Sequence, residues 1–241
     1  MSLDAKTLSQ LVSTVARFVD ERLIPLEHEV AEADAIPPAL IHEMQDLGLF
    51  GLTIPTEFGG LGLTMFEEVQ VIFELGRASP AFRSAIGTNN SIGSQGIVIS
   101  GTDAQKQRYL PKLANGEIIG SFALTEPEAG SDAGSVRTTA IRDGNGYIIN
   151  GTKRYITNSP QAGLFTVFAR TDLDTKGANG VSAFLVEADT PGLSVGKPDR
   201  KMGQQGAHIA DVVFNDCRVT GDALVGGVEG QGFKTAMKTL D

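Results

Sequence analysis

Tryptophan is absent from the 241 residues and cysteine occurs once, at Cys217. A single thiol excludes an internal disulfide framework and any multi-cysteine zinc site, and it fits a reducing compartment. No apolar run approaches the roughly 18 residues that a membrane span needs. Met1-Ser2-Leu3-Asp4-Ala5-Lys6 opens no apolar stretch of the kind found in a secretory or transit peptide. Positive charge is also scarce: 20 Lys and Arg face 29 Asp and Glu, for a net charge of -9. That balance disfavours nucleic-acid phosphate and anionic lipid as partners. The expectation is a soluble cytoplasmic protein, with a mature mitochondrial matrix form as the other option, and with no nucleic-acid or membrane-spanning role.

Glycine, by contrast, is plentiful and unevenly placed, with 11 residues in 1–118 and 18 in 119–241. The first part reads as helical. Leu8, Leu11, Val12, Val15, Val19 and Leu23 recur at helical spacing until Pro25. A second helix is predicted from Pro37-Pro38 to near Gly48. Thr64-Met65-Phe66-Glu67 has the form of a capping box opening a helix to about Ser79, and Thr102-Asp103-Ala104-Gln105 repeats the device before a short helix ending near Pro111.

From residue 119 the pattern becomes short β-branched or aromatic runs between turns. Strands are predicted at Ile118 to Leu124, Tyr147 to Asn150, Phe165 to Arg170, Val181 to Glu187 and Ile209 to Phe214. With no long helix between them, an antiparallel sheet or barrel is expected rather than a parallel doubly wound sheet. Phe233, Ala236, Met237 and Leu240 begin another helical stripe, barely two turns long, that would find little to pack against. A further helical region outside this chain is therefore expected. The predicted organisation is a helical domain over 1–118, a β domain over 119–228, and the start of a truncated helical domain over 229–241.

Common catalytic signatures are missing. There is no G-x-G-x-x-G after a strand, no P-loop, no H-E-x-x-H and no G-x-S-x-G. His28, His42 and His208 are scattered, and no metal site is predicted. Two segments stand out instead. In Ser121-Phe122-Ala123-Leu124-Thr125-Glu126-Pro127-Glu128-Ala129-Gly130-Ser131-Asp132 an apolar strand runs into a turn rich in hydroxyls and carboxylates. There Gly130 permits close backbone approach and Ser131 can donate to a phosphate or carbonyl oxygen. The alternative is an ordinary strand-to-loop turn. In Gly151-Thr152-Lys153-Arg154-Tyr155-Ile156-Thr157-Asn158, simple strand alternation puts Tyr155 and Thr157 on one face, suited to one flat ligand. A half-buried sheet face is the plainer alternative.

Together, in this order, the two segments resemble the acyl-CoA dehydrogenase family. The resemblance extends to Gly101 through Pro111, to Lys201-Met202-Gly203 through Val212-Val213-Phe214, and to the loop Gly230-Gln231-Gly232-Phe233. It implies a helical N-terminal domain, a β-barrel middle domain and a C-terminal four-helix domain, assembled as a homodimer or homotetramer. It also implies FAD as cofactor, α,β-dehydrogenation of an acyl-CoA thioester, and an electron-transferring flavoprotein as electron acceptor. An acyl-CoA oxidase-like flavoenzyme and a non-catalytic acyl-CoA-binding or partner-binding module are the competing expectations.

By that resemblance Phe122, Leu124 and Thr125 lie along the flavin ring, Tyr155, Ile156 and Thr157 approach its other side, and Gly130 and Ser131 lie near the pyrophosphate. Ser131 also approaches the substrate's thioester arm. Tyr155 stands where family members often carry Trp. The family's catalytic glutamate belongs to the C-terminal domain, so no catalytic residue is assigned in this chain. Glu126 and Glu128 read as turn-forming or solvated.

Overall fold

The computed structural model describes residues 3–240. Helix α1 (Ala5–Phe18) starts at Asp4, whose carboxylate accepts the N–H groups of Lys6 and Thr7. It buries Val15 and Phe18, then passes through a π turn at Val19–Leu23 and a 3-10 turn at Ile24–Leu26 into α2 (Glu27–Ala33). Pro25 lacks an N–H and crowds the preceding turn, so the helix widens and tightens again around it. Helix α3 (Pro38–Asp46) begins at its proline, as predicted.

Helix α4 (Met65–Leu75) carries the complete capping box of Thr64 and Glu67. It ends before Ser79 because Ser79 caps a separate helix, α5 (Pro80–Asn90). Neither α5 nor α6 (Gln95–Ser100) is foreseen above, since Gly87, Gly93, Gly96 and the polar run Thr88-Asn89-Asn90 dilute any apolar stripe. Helix α7 (Asp103–Ala114) has the second capping box and runs past Pro111 by three residues.

The strands are β1 (Gly120–Ala123), β2 (Thr139–Asp143), β3 (Gly146–Thr157), β4 (Leu164–Arg170), β5 (Val181–Glu187), β6 (Leu193–Val195) and β7 (Ile209–Thr220). All seven form one sheet, ordered β1-β4-β2-β3-β7-β6 with β5 also on β4. Strand β5 pairs along the whole of β4, from Leu164 to Arg170. The other edge of β4 is shared in succession, by β1 over Leu164–Val167 and by β2 at Arg170.

Both of those contacts are parallel, so the expectation of a purely antiparallel sheet is corrected to a mixed one. A parallel pair needs a long crossover, and here the β2–β3 hairpin fills that role in place of a helix. A bridge between Phe184 and Leu224 returns the chain after β7 to β5, and the sheet curls into a half-barrel.

Strands β4 and β5 are buried on both faces, which explains their continuous apolar runs. Phe165, Val167, Phe184 and Val186 fill the sheet's interior with Ile149, Val212 and Phe214. Leu164, Phe168, Ala183 and Leu185 face outward into a second core with Tyr109, Leu110 and Leu113 of α7. Residues Val19, Leu23, Met44, Phe50, Val71 and Phe82 belong to a third core among the helices.

Helix α8 (Gly232–Leu240) joins the second core through Ala236, which is fully buried. A Cβ on Gly232 would lie 2.3 Å from the Ser182 carbonyl carbon, so only glycine permits this approach to β5. The expectation that this helix would lack a packing surface is thus overturned. No helix among the described residues is long and apolar enough to cross a membrane.

Candidate functional site at the β1–β3 edge

The two motif segments lie side by side. The Arg154 N–H donates to the Thr125 carbonyl at 2.8 Å, and the Ser121 hydroxyl donates to the Thr157 carbonyl at 2.7 Å. Strand alternation sends Ala123 into the sheet interior, while Phe122 and Leu124 join the helix-side core. Phe122 is half-buried, its ring 4.7 Å from that of Phe168 and tilted by 56°. Leu124 is buried and Thr125 half-buried.

After Thr125 the chain turns back on itself. The Glu126 N–H donates to the Ala129 carbonyl at 2.9 Å and the Ala129 N–H returns the bond at 3.2 Å. The Glu126 side chain is buried and paired with Lys153, at 2.7 Å from Oε1 to Nζ. Its Oε1 also accepts the Thr138 N–H at 2.9 Å, and its Oε2 the Arg137 N–H at 2.6 Å. Lys153 is fully buried and donates as well to the Leu124 carbonyl, at 3.0 Å. Glu126 is therefore an internal anchor rather than a solvated turn residue, whereas Glu128 is exposed and pairs with Arg137.

Burial pushes the Glu126 carboxyl up, but the Lys153 ammonium and the N–H donors outweigh it and hold the group below the usual carboxylate range. Burial pushes Lys153 down, against the pull of Glu126. Gly130 and Ser131 are exposed at the tip of the following loop. Its two chain neighbours aside, no described residue comes within 4 Å of a Cβ built on Gly130, so the fold itself does not demand glycine there. Arg170 ties down the base of this loop: its guanidinium donates to the carbonyls of Gly134, Val136, Thr175 and Gly177.

On β3 the expected alternation breaks. Between Lys153, opposite Val212, and Ile156, opposite Ala210, β3 holds one residue more than β7. Tyr155 lies in this bulge at φ +58°, so its direction is not set by the pleat. It is 56% exposed, with the Arg154 guanidinium 4.8 Å from its ring centroid. Ile156 is buried in the sheet interior, and its side chain is committed there.

Thr157 is half-buried and lines a recess with Arg83, Ser84, Lys201, Gln204 and Ile209. Asn158, at φ +60°, is buried and its amide donates to the Ser84 carbonyl and the Thr88 hydroxyl, both at 2.9 Å, locking β3 to α5. The Ser121 and Ser159 hydroxyls are used by main-chain carbonyls. Those of Thr125, Ser131 and Thr157 bond to no other described residue and remain available to a ligand.

Sequence reasoning missed Glu126, Lys153, Asn158 and Arg170 as organisers of the edge. For Lys153 a signal existed, since it falls in phase with the buried Tyr147 and Ile149 on β3. No group of three or more potential metal ligands occurs among the described residues.

The edge thus sets a strand beside a bulged neighbour, next to a helical layer. Residues 6–117 match the acyl-CoA dehydrogenase N-terminal domain and residues 121–217 the acyl-CoA dehydrogenase middle domain. The chain belongs to the acyl-CoA dehydrogenase family. It is 43% identical over 235 residues to an acryloyl-CoA reductase (NADH) of Anaerotignum propionicum, covering 96% of this chain and 59% of the relative. It is 39% identical over 227 residues to an acyl-CoA dehydrogenase of Bacillus subtilis, covering 94% and 59%. The chain thus spans about three fifths of the length of these relatives. The crystal structure of an acyl-CoA dehydrogenase complexed with FAD from Bacillus anthracis superposes with a TM-score of 0.88 at 32% identity, over 98% of this chain and 41% of that one.

Proposed function

We propose that this chain supplies the flavin-holding wall of an FAD-dependent acyl-CoA dehydrogenase, in which an acyl-CoA thioester is oxidised to the 2-enoyl-CoA. The observation that carries the reading is the junction of the two motif segments through the Arg154-to-Thr125 bond, together with the hydroxyls of Thr125 and Thr157 on these segments and of Ser131 on the loop that follows, which bond to no other described residue. That donor set fits FAD: hydroxyls suit the polar edge of the ring, and Ser131 on an exposed tip suits a phosphate oxygen. When bound, FAD would accept the hydride lost from the substrate's β-carbon.

The roles of the chain's residues follow from this placement. Phe122 and Tyr155 offer apolar and aromatic surface to a flat ring, Leu124 contributes by main chain because its side chain is buried in the helix-side core, and Thr125 and Thr157 orient the ring. Ile156 contributes by main chain, because its side chain is turned inward. Gly130 and Ser131 meet the pyrophosphate, and Ser131 also meets the thioester arm. No carboxylate here is assigned as the base that removes the α-proton. Glu126 is committed to Lys153 and to two main-chain N–H groups, and Glu128 to Arg137.

Electrons would leave the reduced cofactor to an electron-transferring flavoprotein, and the intact protein would form a homodimer or homotetramer. The relative named as an acryloyl-CoA reductase favours a second reading, the same carbon chemistry run toward the saturated thioester. The test is direct. Flavin absorbance of the purified protein, followed by its bleaching on addition of an acyl-CoA panel, supports dehydrogenation. Reoxidation of chemically reduced flavin by an enoyl-CoA, without bleaching by acyl-CoA, favours the reductase. A protein that takes up no flavin refutes both.

A further inference from the structure

The buried pair of Lys153 and Glu126 is left unused by the reaction. Its four bonds join three separate parts of the chain: Lys153 from β3, the Leu124 carbonyl from the end of β1, and the N–H groups of Arg137 and Thr138 ahead of β2. An ion pair is a poor choice if stability alone is at stake. Removing both charges from water costs about as much as their attraction returns, and a well-packed apolar pair of similar size often serves as well. An apolar pair, however, cannot hold a carbonyl in a fixed direction.

Here the Lys153 ammonium grips the Leu124 carbonyl, and Glu126 closes the turn that begins one residue after Thr125. The Leu124–Thr125 main chain is thereby clamped from behind while its Thr125 carbonyl meets Arg154 at 2.8 Å. Lys153 is fully buried and Glu126 nearly so, which keeps both away from any ligand on the outer side.

We propose that Lys153 and Glu126 are positioning residues that fix the Leu124–Thr125 main chain against the flavin, so that cofactor affinity and the asymmetry of the ring's surroundings depend on them. The inference rests on the flavin reading above and deepens it. Both groups act through Leu124 and Thr125 and touch neither cofactor nor substrate.

The test is an FAD titration of the purified protein, read by flavin fluorescence for Kd and by visible circular dichroism at saturation for the ring's environment. The wild type is titrated first. If it binds no FAD, the flavin reading fails and this inference falls with it. Lys153→Met alone leaves a buried carboxylate unpaired, so the deciding variant is Lys153→Met with Glu126→Gln, which buries no charge. It is expected to keep the wild-type far-ultraviolet spectrum, to weaken FAD binding by about tenfold or more, and to alter the visible dichroism even when saturated.

A purely structural role would lower the melting temperature and leave that saturated spectrum unchanged. Wild-type Kd and visible dichroism in the folded double variant overturn the proposal while the flavin reading stands. If the double variant does not fold, Glu126→Asp decides in its place. It keeps both charges and shortens the reach, and the same two changes are expected, with wild-type values again overturning the proposal.

Discussion

The hydroxyls of Thr125, Ser131 and Thr157 bond to no other described residue, and the proposed cofactor assignment turns on those three oxygen atoms. Replacing Thr125 by Val and Ser131 by Ala removes two of them with little change in volume. The double variant is expected to fold normally and to retain less flavin, measured as the ratio of flavin to protein absorbance after gel filtration. An undiminished ratio would remove these residues from the site. Arg170 makes the opposite kind of prediction. Its four carbonyl contacts staple the loop bearing Ser131 to the loop at Thr175 and Gly177. Arg170→Met is expected to cost about 2–3 kcal/mol, the scale of charged hydrogen bonds lost from partly buried carbonyls. It should also open both loops to limited proteolysis. A melting temperature and cleavage pattern like those of the wild type would contradict it.

At the scale of elements, the capping boxes are the part of the fold most openly written in the residues. Thr64-x-x-Glu67 and Thr102-x-x-Gln105 both form as read, because the motif is local and needs nothing but its own main chain. Thr64→Ala should therefore cost about 1 kcal/mol, seen as a lowered denaturant midpoint with an unchanged slope. No shift in midpoint would show that α4 is held by packing alone. Strands β4 and β5 were equally legible, since burial on both faces leaves an unbroken apolar run. What could not be read depended on distant partners. Helix α5 has no strong stripe because Asn89 and Asn90 are inside it, bonding to the carbonyls of Leu113, Ile118, Leu49 and Ile86. The bulge at Tyr155 is defined only against β7, and the inward anchoring of Glu126 only against Lys153. The candidate segments were visible in sequence, whereas the residues that hold them in place were visible only in three dimensions.

Across the whole molecule, acid should be the more damaging direction of pH. Glu43, held by its hydrogen bond from Arg22, Glu67, held by Thr64, and Glu229, held by Tyr147 and Arg142, all lie below the ordinary carboxylate value of 4.5. Glu126 joins them through Lys153. A carboxyl whose pKa is lower folded than unfolded contributes stability that is complete above its unfolded value and lost as pH falls through the folded one. Thermal melts should accordingly be flat above about pH 5 as far as these groups decide, and should fall steeply below pH 4.5. A melting temperature independent of pH below that value would show that these pairs contribute nothing to the fold.

The parallel union of β1 with β4 also has a consequence in time. Strands β2 and β3 meet across a tight turn between Asp143 and Gly146, so they can zip together early. Strand β1 must wait for a partner that emerges only after that hairpin, and loop closure over such a span is slow. Pulse-labelled amide exchange during refolding should find the amides bonded between β2 and β3 protected before those bonded between β1 and β4. The surface offered to a ligand would then be among the last parts of the chain to take shape, and a nascent molecule would pass through a stage with a sheet but no binding edge.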